Sequence, residues 1–243
     1  MAAALDATCE IYSDVDGVWS SDPRVVPDTK KLEALSYEEM QELAEAGAKV
    51  LNAQAVQFAK AKGIAIYALQ TPPAGAGTAG TGTVVRKDAP SPVGGVRGVA
   101  HRATLHRLVG HRRDALPAML AFLDMHQLPS GQIVALDDRI EMLVPTEDAH
   151  GFERACADLA KDAVFGRGED VGAVSLVGQG ILEDRRVLAD ALALLAHERI
   201  EVRGVSTSSF RITLLVSSGP SVEAVARLLH ARFVASERVE PKG

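Results

Sequence analysis

Apolar residues along the chain fall into two rhythms, short unbroken runs that suit buried strands and i, i+3, i+4 stripes that suit amphipathic helices. Met1 to Ala7 suits the end of a helix. Cys9 to Ser13 suits a buried strand that runs into the acidic, glycine-containing turn Asp14 to Arg24. The next helix carries its own start and stop. Ser36 and Glu39 make a capping box, Met40, Leu43 and Ala44 supply one apolar face, and Gly47 is placed to end the helix in a left-handed conformation. A second helix bears Val56, Phe58 and Ala59 ahead of Gly63, and Ile64 to Leu69 reads as another buried strand.

Gln70 to Pro92 is rich in Pro, Gly, Ala and Thr and reads as a linker or long loop. Its formal Gly-x-Gly-x-x-Gly, Gly75 to Gly80, feeds no helix and is read as compositional. Beyond it the pattern occurs twice. Leu105 to Gly110, Asp114 to His126, Gln132 to Leu136, Ile140 to Val144 and Asp148 to Ala160 form one β-α-β-β-α series. Ala173 to Gly178, Arg185 to His197, Glu201 to Val205, Phe210 to Val216 and Ser221 to Phe233 form the second. Each series predicts a ferredoxin-like unit, with two helices on one face of an antiparallel sheet. The second is the clearer, because Val187, Leu188, Ala191, Leu192 and Leu195 trace a helical stripe while Phe210, Ile212, Leu214 and Val216 alternate.

With 243 residues and 47% apolar content, the chain has enough material for more than one buried core. A net charge of −6 without a basic stripe argues against nucleic acid as a partner. No apolar run reaches the length of a bilayer span, and a cytoplasmic protein is expected. Cys9 and Cys156 form no disulfide framework, and no metal site is expected, since His101, His106 and His111 recur every five residues, on alternating faces of a strand.

The stretch from Ile11 to Leu51, strongest over Ser13 to Arg24 and Ser36 to Leu51, resembles the carboxyl-terminal part of the aspartokinase catalytic domain. The duplicated units resemble the paired ACT domains that follow it in that family, best over Val174 to Gly180 and Val205 to Val216. The resemblance implies an α/β fragment followed by two ACT units. Residues 1–69 would be the carboxyl-terminal fragment of an amino acid kinase domain, 70–92 the linker, 93–168 a divergent first ACT unit and 169–236 the second. It further implies transfer of the ATP γ-phosphoryl, with Mg²⁺, to the side-chain carboxylate of aspartate.

By that resemblance Ser13, Asp14, Trp19, Asp22, Pro23, Arg24, Lys49 and Val50 flank the nucleotide, while Ser206, Thr207 and Ser208 match positions that contact an effector such as lysine or threonine. The family's glycine-rich lysine motif and its aspartate-binding residues lie upstream of anything in this sequence. A truncated or regulatory-subunit-like form is therefore expected, one that does not catalyse alone and acts as a homodimer through its ACT units or with a complementing kinase chain. Two other readings stand beside it. The chain could be a non-catalytic amino-acid-binding module, or Asp14 and Asp16 could be the nucleophile and acid/base of a haloacid-dehalogenase-like phosphatase, with Asp137-Asp138 as its acidic pair. Without any resemblance, Asp14, Asp16 and Asp22 suit a solvated turn, and Lys49 complements a helix dipole.

Overall fold

The computed structural model describes residues 2, 7–72, 82–91, 94–112, 114–137, 139–147, 149–159 and 163–235. Strand β1 (Cys9–Ser13) leads into the acidic turn, and the two-residue strands β2 (Val18–Trp19) and β3 (Lys31–Leu32) pair as a small ribbon. β4 (Ala34–Leu35) precedes helix α1 (Tyr37–Glu45), and α2 (Ala53–Lys62) precedes β5 (Ile66–Gln70) and β6 (Thr83–Val85). The expected capping box is formed: Ser36 Oγ accepts from the Glu39 amide at 3.1 Å, and Glu39 accepts from the Ser36 amide at 3.1 Å. Gly63 ends α2 with φ +66°, as its position predicts.

These elements build a sheet in the order β1-β5-β6-β4, in which β1 lies parallel to β5. Part of the stretch expected as a linker is therefore structural. β6 pairs antiparallel with β5 and parallel with β4, because Thr83, Val84 and Val85 are β-prone and Thr83 and Val85 are buried. The Gly75 to Gly80 motif, like most of the expected amino-terminal helix end, lies outside the described residues.

The remainder forms one seven-stranded sheet. Its strands are β7 (Gly98–Gly110), β8 (Ile133–Ala135), β9 (Ile140–Pro145), β10 (Phe165–Arg167), β11 (Val171–Val177), β12 (Gly204–Ser208) and β13 (Arg211–Ser217). They run in the order β12-β13-β11-β7-β9-β8, with β10 also on β7. β7 starts earlier than the sequence predicts, and its length joins the two repeats: 98–105 pair with β11, and Leu105 to Gly110 pair with β9. Helices α3 (Ala115–Met125) and α4 (Phe152–Ala157) pack on one half of the sheet around Leu108, Met119 and Met142. α5 (Arg185–His197) and α6 (Ser221–His230) pack on the other half around Leu176, Leu195 and Leu229, and α6 passes into a π turn, Ala231–Ala235. The fourth helix is shorter than predicted, and the strand expected from Glu201 begins only at Gly204.

The amino-terminal unit lies against this sheet with a shared core, in which Leu35, Met40 and Leu43 pack with Ala100 of β7 and Val177 of β11. The burial of all seven β11 residues follows, since both faces of that strand are covered. Polar bonds lock the seam. Arg211 pairs with Glu42 at 3.0 Å, Arg97 Nη2 donates to Ala34 O at 2.8 Å, and Ser208 Oγ donates to Glu42 Oε1 at 2.8 Å.

Candidate functional site

The parallel strands β1 and β5 bring their carboxyl ends together, the edge at which open α/β sheets bind ligands. Ser13 ends β1, Thr71 N donates to Ser13 O at 2.8 Å, and Gln70 Nε2 reaches Asp14 O at 3.4 Å, so the acidic turn is anchored on both strands. Asp14 is exposed. Asp16 is held by Lys31 Nζ at 2.9 Å through Oδ2, whereas its Oδ1 is buried without a hydrogen-bond partner. The turn closes on Gly17, whose φ of +84° favours glycine and whose Cβ, if present, would meet Thr83 Oγ1 at 2.6 Å. Thr83 completes the scaffold. Its hydroxyl donates to Leu32 O at 2.6 Å and accepts from Val18 N at 2.7 Å.

After Trp19, half-buried in β2, the chain turns at Asp22. Asp22 Oδ1 accepts from Arg24 N at 2.9 Å and Arg24 Nε at 3.0 Å, and Oδ2 accepts from Arg24 Nη2 at 2.8 Å. This fork holds the Asp22 carboxyl below its ordinary pKa and raises that of Arg24, to which the nearby Asp14 charge also contributes. Arg24 and Pro23 are exposed, so the guanidinium faces solvent while it grips Asp22. Lys49 is exposed in the turn between α1 and α2, with Val50 half-buried beside it.

The charges of Asp22 and Lys49, from the two parts of the predicted site, both act on His101 of β7. Burial lowers the His101 pKa, Asp22 and Glu223 oppose that shift, and Arg227 and Lys49 reinforce it. His101 was missed as a site residue because only the folded sheet brings it within reach of the Asp22 charge. Thr83 was missed for a similar reason, since it sits in a stretch whose composition reads as a linker. Lys49 also borders a cleft of about 850 Å³ between the α1–α2 turn and the sheet face, lined by Arg102, Arg211, Glu147, Ser175 and Thr213.

Ser206, Thr207 and Ser208 lie on β12, at one edge of the seven-stranded sheet. The Ser208 hydroxyl donates to Glu42 and accepts from Phe210 N at 3.3 Å, so it is engaged at the seam between the units. Of the acidic pair in the phosphatase alternative, Asp137 follows β8 in the seven-stranded sheet rather than in the sheet that carries β1, and Asp138 lies outside the described residues. Among the described residues no group of three or more His, Cys, Asp or Glu is arranged to hold a metal ion. Both cysteines are free, and no helix of the described residues is long and apolar enough to cross a membrane.

The model of the amino acid kinase family matches residues 1–69. The aspartokinase of Corynebacterium glutamicum is 32% identical over 248 residues, which cover 96% of this chain and 58% of that protein. Aspartokinase 2 of Bacillus subtilis is 34% identical over 251 residues, covering 98% of this chain and 60% of that protein. Among solved structures, E. coli aspartokinase III in complex with aspartate and ADP aligns with a TM-score of 0.74 at 25% identity, over 95% of this chain and 53% of that one. The chain thus spans less than two thirds of the length of each of these relatives.

Proposed function

We propose that the chain belongs to the aspartokinase family, to which its similarity points, and that it supplies the nucleotide side of an ATP-dependent aspartate kinase together with a regulatory portion. The reaction moves the γ-phosphoryl of ATP to the side-chain carboxylate of aspartate, giving aspartyl phosphate and ADP. Phosphoryl transfer of this kind depends on positioning and charge stabilisation. Arg24 and Lys49 are the cations available to phosphate oxygens, and the exposed Asp14 with the unpartnered Asp16 Oδ1 leaves acceptor capacity in the turn. Mg²⁺ would be shared with the nucleotide, as suits an ion that keeps waters and phosphates as ligands. Trp19 and Pro23 would flank the same nucleotide, and Ser13 and Val50 would shape its pocket.

The observation that carries the reading is the acidic turn held at the carboxyl ends of the parallel strands β1 and β5 by Thr71 and Gln70. The two helix-covered repeats are assigned as ACT units that sense an amino acid such as lysine or threonine, in a protein working in the cytoplasm. The partner is a complementing kinase half, or a second copy through the ACT units. β1 is one edge of its sheet among the described residues, and Tyr12 of β1 and Tyr67 of the neighbouring β5 are exposed. An open edge suits an added strand.

The test is an aspartate-dependent ADP-release assay with hydroxylamine trapping of the acyl phosphate. The chain alone should be inactive. Co-expressing it with the segment of Bacillus subtilis aspartokinase 2 that this chain does not match should produce aspartyl hydroxamate. Activity of the chain alone, or none on co-expression, removes the reading.

A further inference from the structure

The loop from Ser20 to Lys30, which carries Asp22, Pro23 and Arg24, is fastened at three separated points to the end of α6 and its π turn. Ser20 Oγ lies 2.8 Å from His230 Nε2. Arg227 Nη1 donates to Val25 O at 3.1 Å, and Lys30 Nζ donates to Val234 O at 2.8 Å. Ser20 is the hub of this clamp. Its amide donates to Lys30 O at 2.8 Å, its carbonyl accepts from Val99 N at 2.7 Å, and its hydroxyl accepts from Lys30 N at 2.9 Å. With that acceptor role filled, the hydroxyl proton is free for Nε2 of a neutral His230 ring. Both side chains are fully buried, Ser20 at 0% and His230 at 1% exposure.

A buried hydrogen bond adds little net stability over a well-packed apolar pair, yet leaving one partner unsatisfied is costly. The consequence of a Ser–His bond at this position is therefore registry, because it holds the loop at one height along α6. Arg227 holds the middle of the same loop and Lys30 its far end, so a shift of α6 would carry the whole loop with it.

We propose that His230 is a positioning residue which, through Ser20, sets the conformation of the Ser20 to Lys30 loop and so transmits movements of α6 to the nucleotide contacts. What the loop binds rests on the function proposed above; the clamp itself does not. The test is hydrogen exchange of the full chain, with MgADP affinity measured in parallel, for wild type, His230→Ala and His230→Gln.

In His230→Ala, amides of 20–30 should exchange about tenfold faster while those of β11 and β13 stay unchanged. The MgADP dissociation constant should rise about tenfold, and His230→Gln should recover part of both effects. Loop exchange unchanged from wild type overturns the clamp, and an open loop with unchanged MgADP affinity overturns the transmission. If β11 and β13 also exchange faster in His230→Ala, Lys30→Met supplies the same readout: faster loop exchange supports the clamp, and unchanged exchange overturns it. Wild type that binds no MgADP sinks the nucleotide reading alone, since loop exchange still decides the clamp.

Discussion

Thr83→Val removes one hydroxyl and very little volume, yet it acts at the point where the acidic turn, the β2–β3 ribbon and β6 are joined. The lost Oγ1 leaves Leu32 O without its 2.6 Å donor and Val18 N without its 2.7 Å acceptor. Those two residues face each other in the ribbon, and both are buried. Each orphaned buried group costs about 1–3 kcal/mol, so the substitution should destabilise the fold by about 2–5 kcal/mol. Thr83→Ser keeps the hydroxyl and loses one methyl, for which about 1 kcal/mol is expected. Urea unfolding of the three proteins reads the totals, and hydrogen exchange at the Val18 amide locates the loss. A Thr83→Val protein within about 0.5 kcal/mol of wild type, with Val18 still protected, would refute the claim that this hydroxyl builds the turn.

Gly17→Ala should lower the urea midpoint further than an ordinary surface change, because φ +84° strains any Cβ and Thr83 N lies only 2.9 Å from its position; at least about 1–2 kcal/mol is expected. Stability should also fall on acidification. Burial is the first cause that holds His101 and His230 below their ordinary pKa of 6.5, so the unfolded chain takes up protons that the fold refuses. Stability is complete above that value and is lost as the pH falls through it, by at most about 1.4 kcal/mol per pH unit for each histidine. Urea midpoints at about pH 7.5 and 5.5 check this, and His230→Gln should flatten the profile. At the seam, Arg211→Met with Glu42→Gln should give a double-mutant coupling of about 1–3 kcal/mol, since side-chain exposures of only 19% and 18% limit solvent screening. A coupling near zero would make this pair incidental to docking.

Much of the fold is legible in the sequence wherever local chemistry and tertiary demand agree. The Ser36–Glu39 box starts α1, Gly63 stops α2, and the apolar stripe of Arg185 to His197 is α5 over the bounds the pattern predicts. β6 is not legible, because three residues inside a Gly- and Pro-rich stretch gain strand structure only from the neighbours β4 and β5. β7 is underread for a related reason: His101 and Arg102 break its apolar alternation, and their partners are Asp22, Glu45 and Glu147 from distant segments. At the candidate site, Asp14, Asp22 and Arg24 are visible as an acidic turn with one cation. The contributions of Thr83, His101 and His230 are visible only in three dimensions, since nothing local distinguishes a hydroxyl or imidazole that will meet a turn from another chain region.

Trp19 is the chain's single tryptophan and sits within the loop assigned to the nucleotide. Titration with MgADP followed by Trp19 fluorescence therefore tests the central claim most directly. A saturable change at millimolar MgADP is expected, with affinity about tenfold weaker in Arg24→Ala, the loss of one charge-assisted contact. No saturable change, or equal affinity in the two proteins, would contradict the claim that this acidic turn holds a nucleotide.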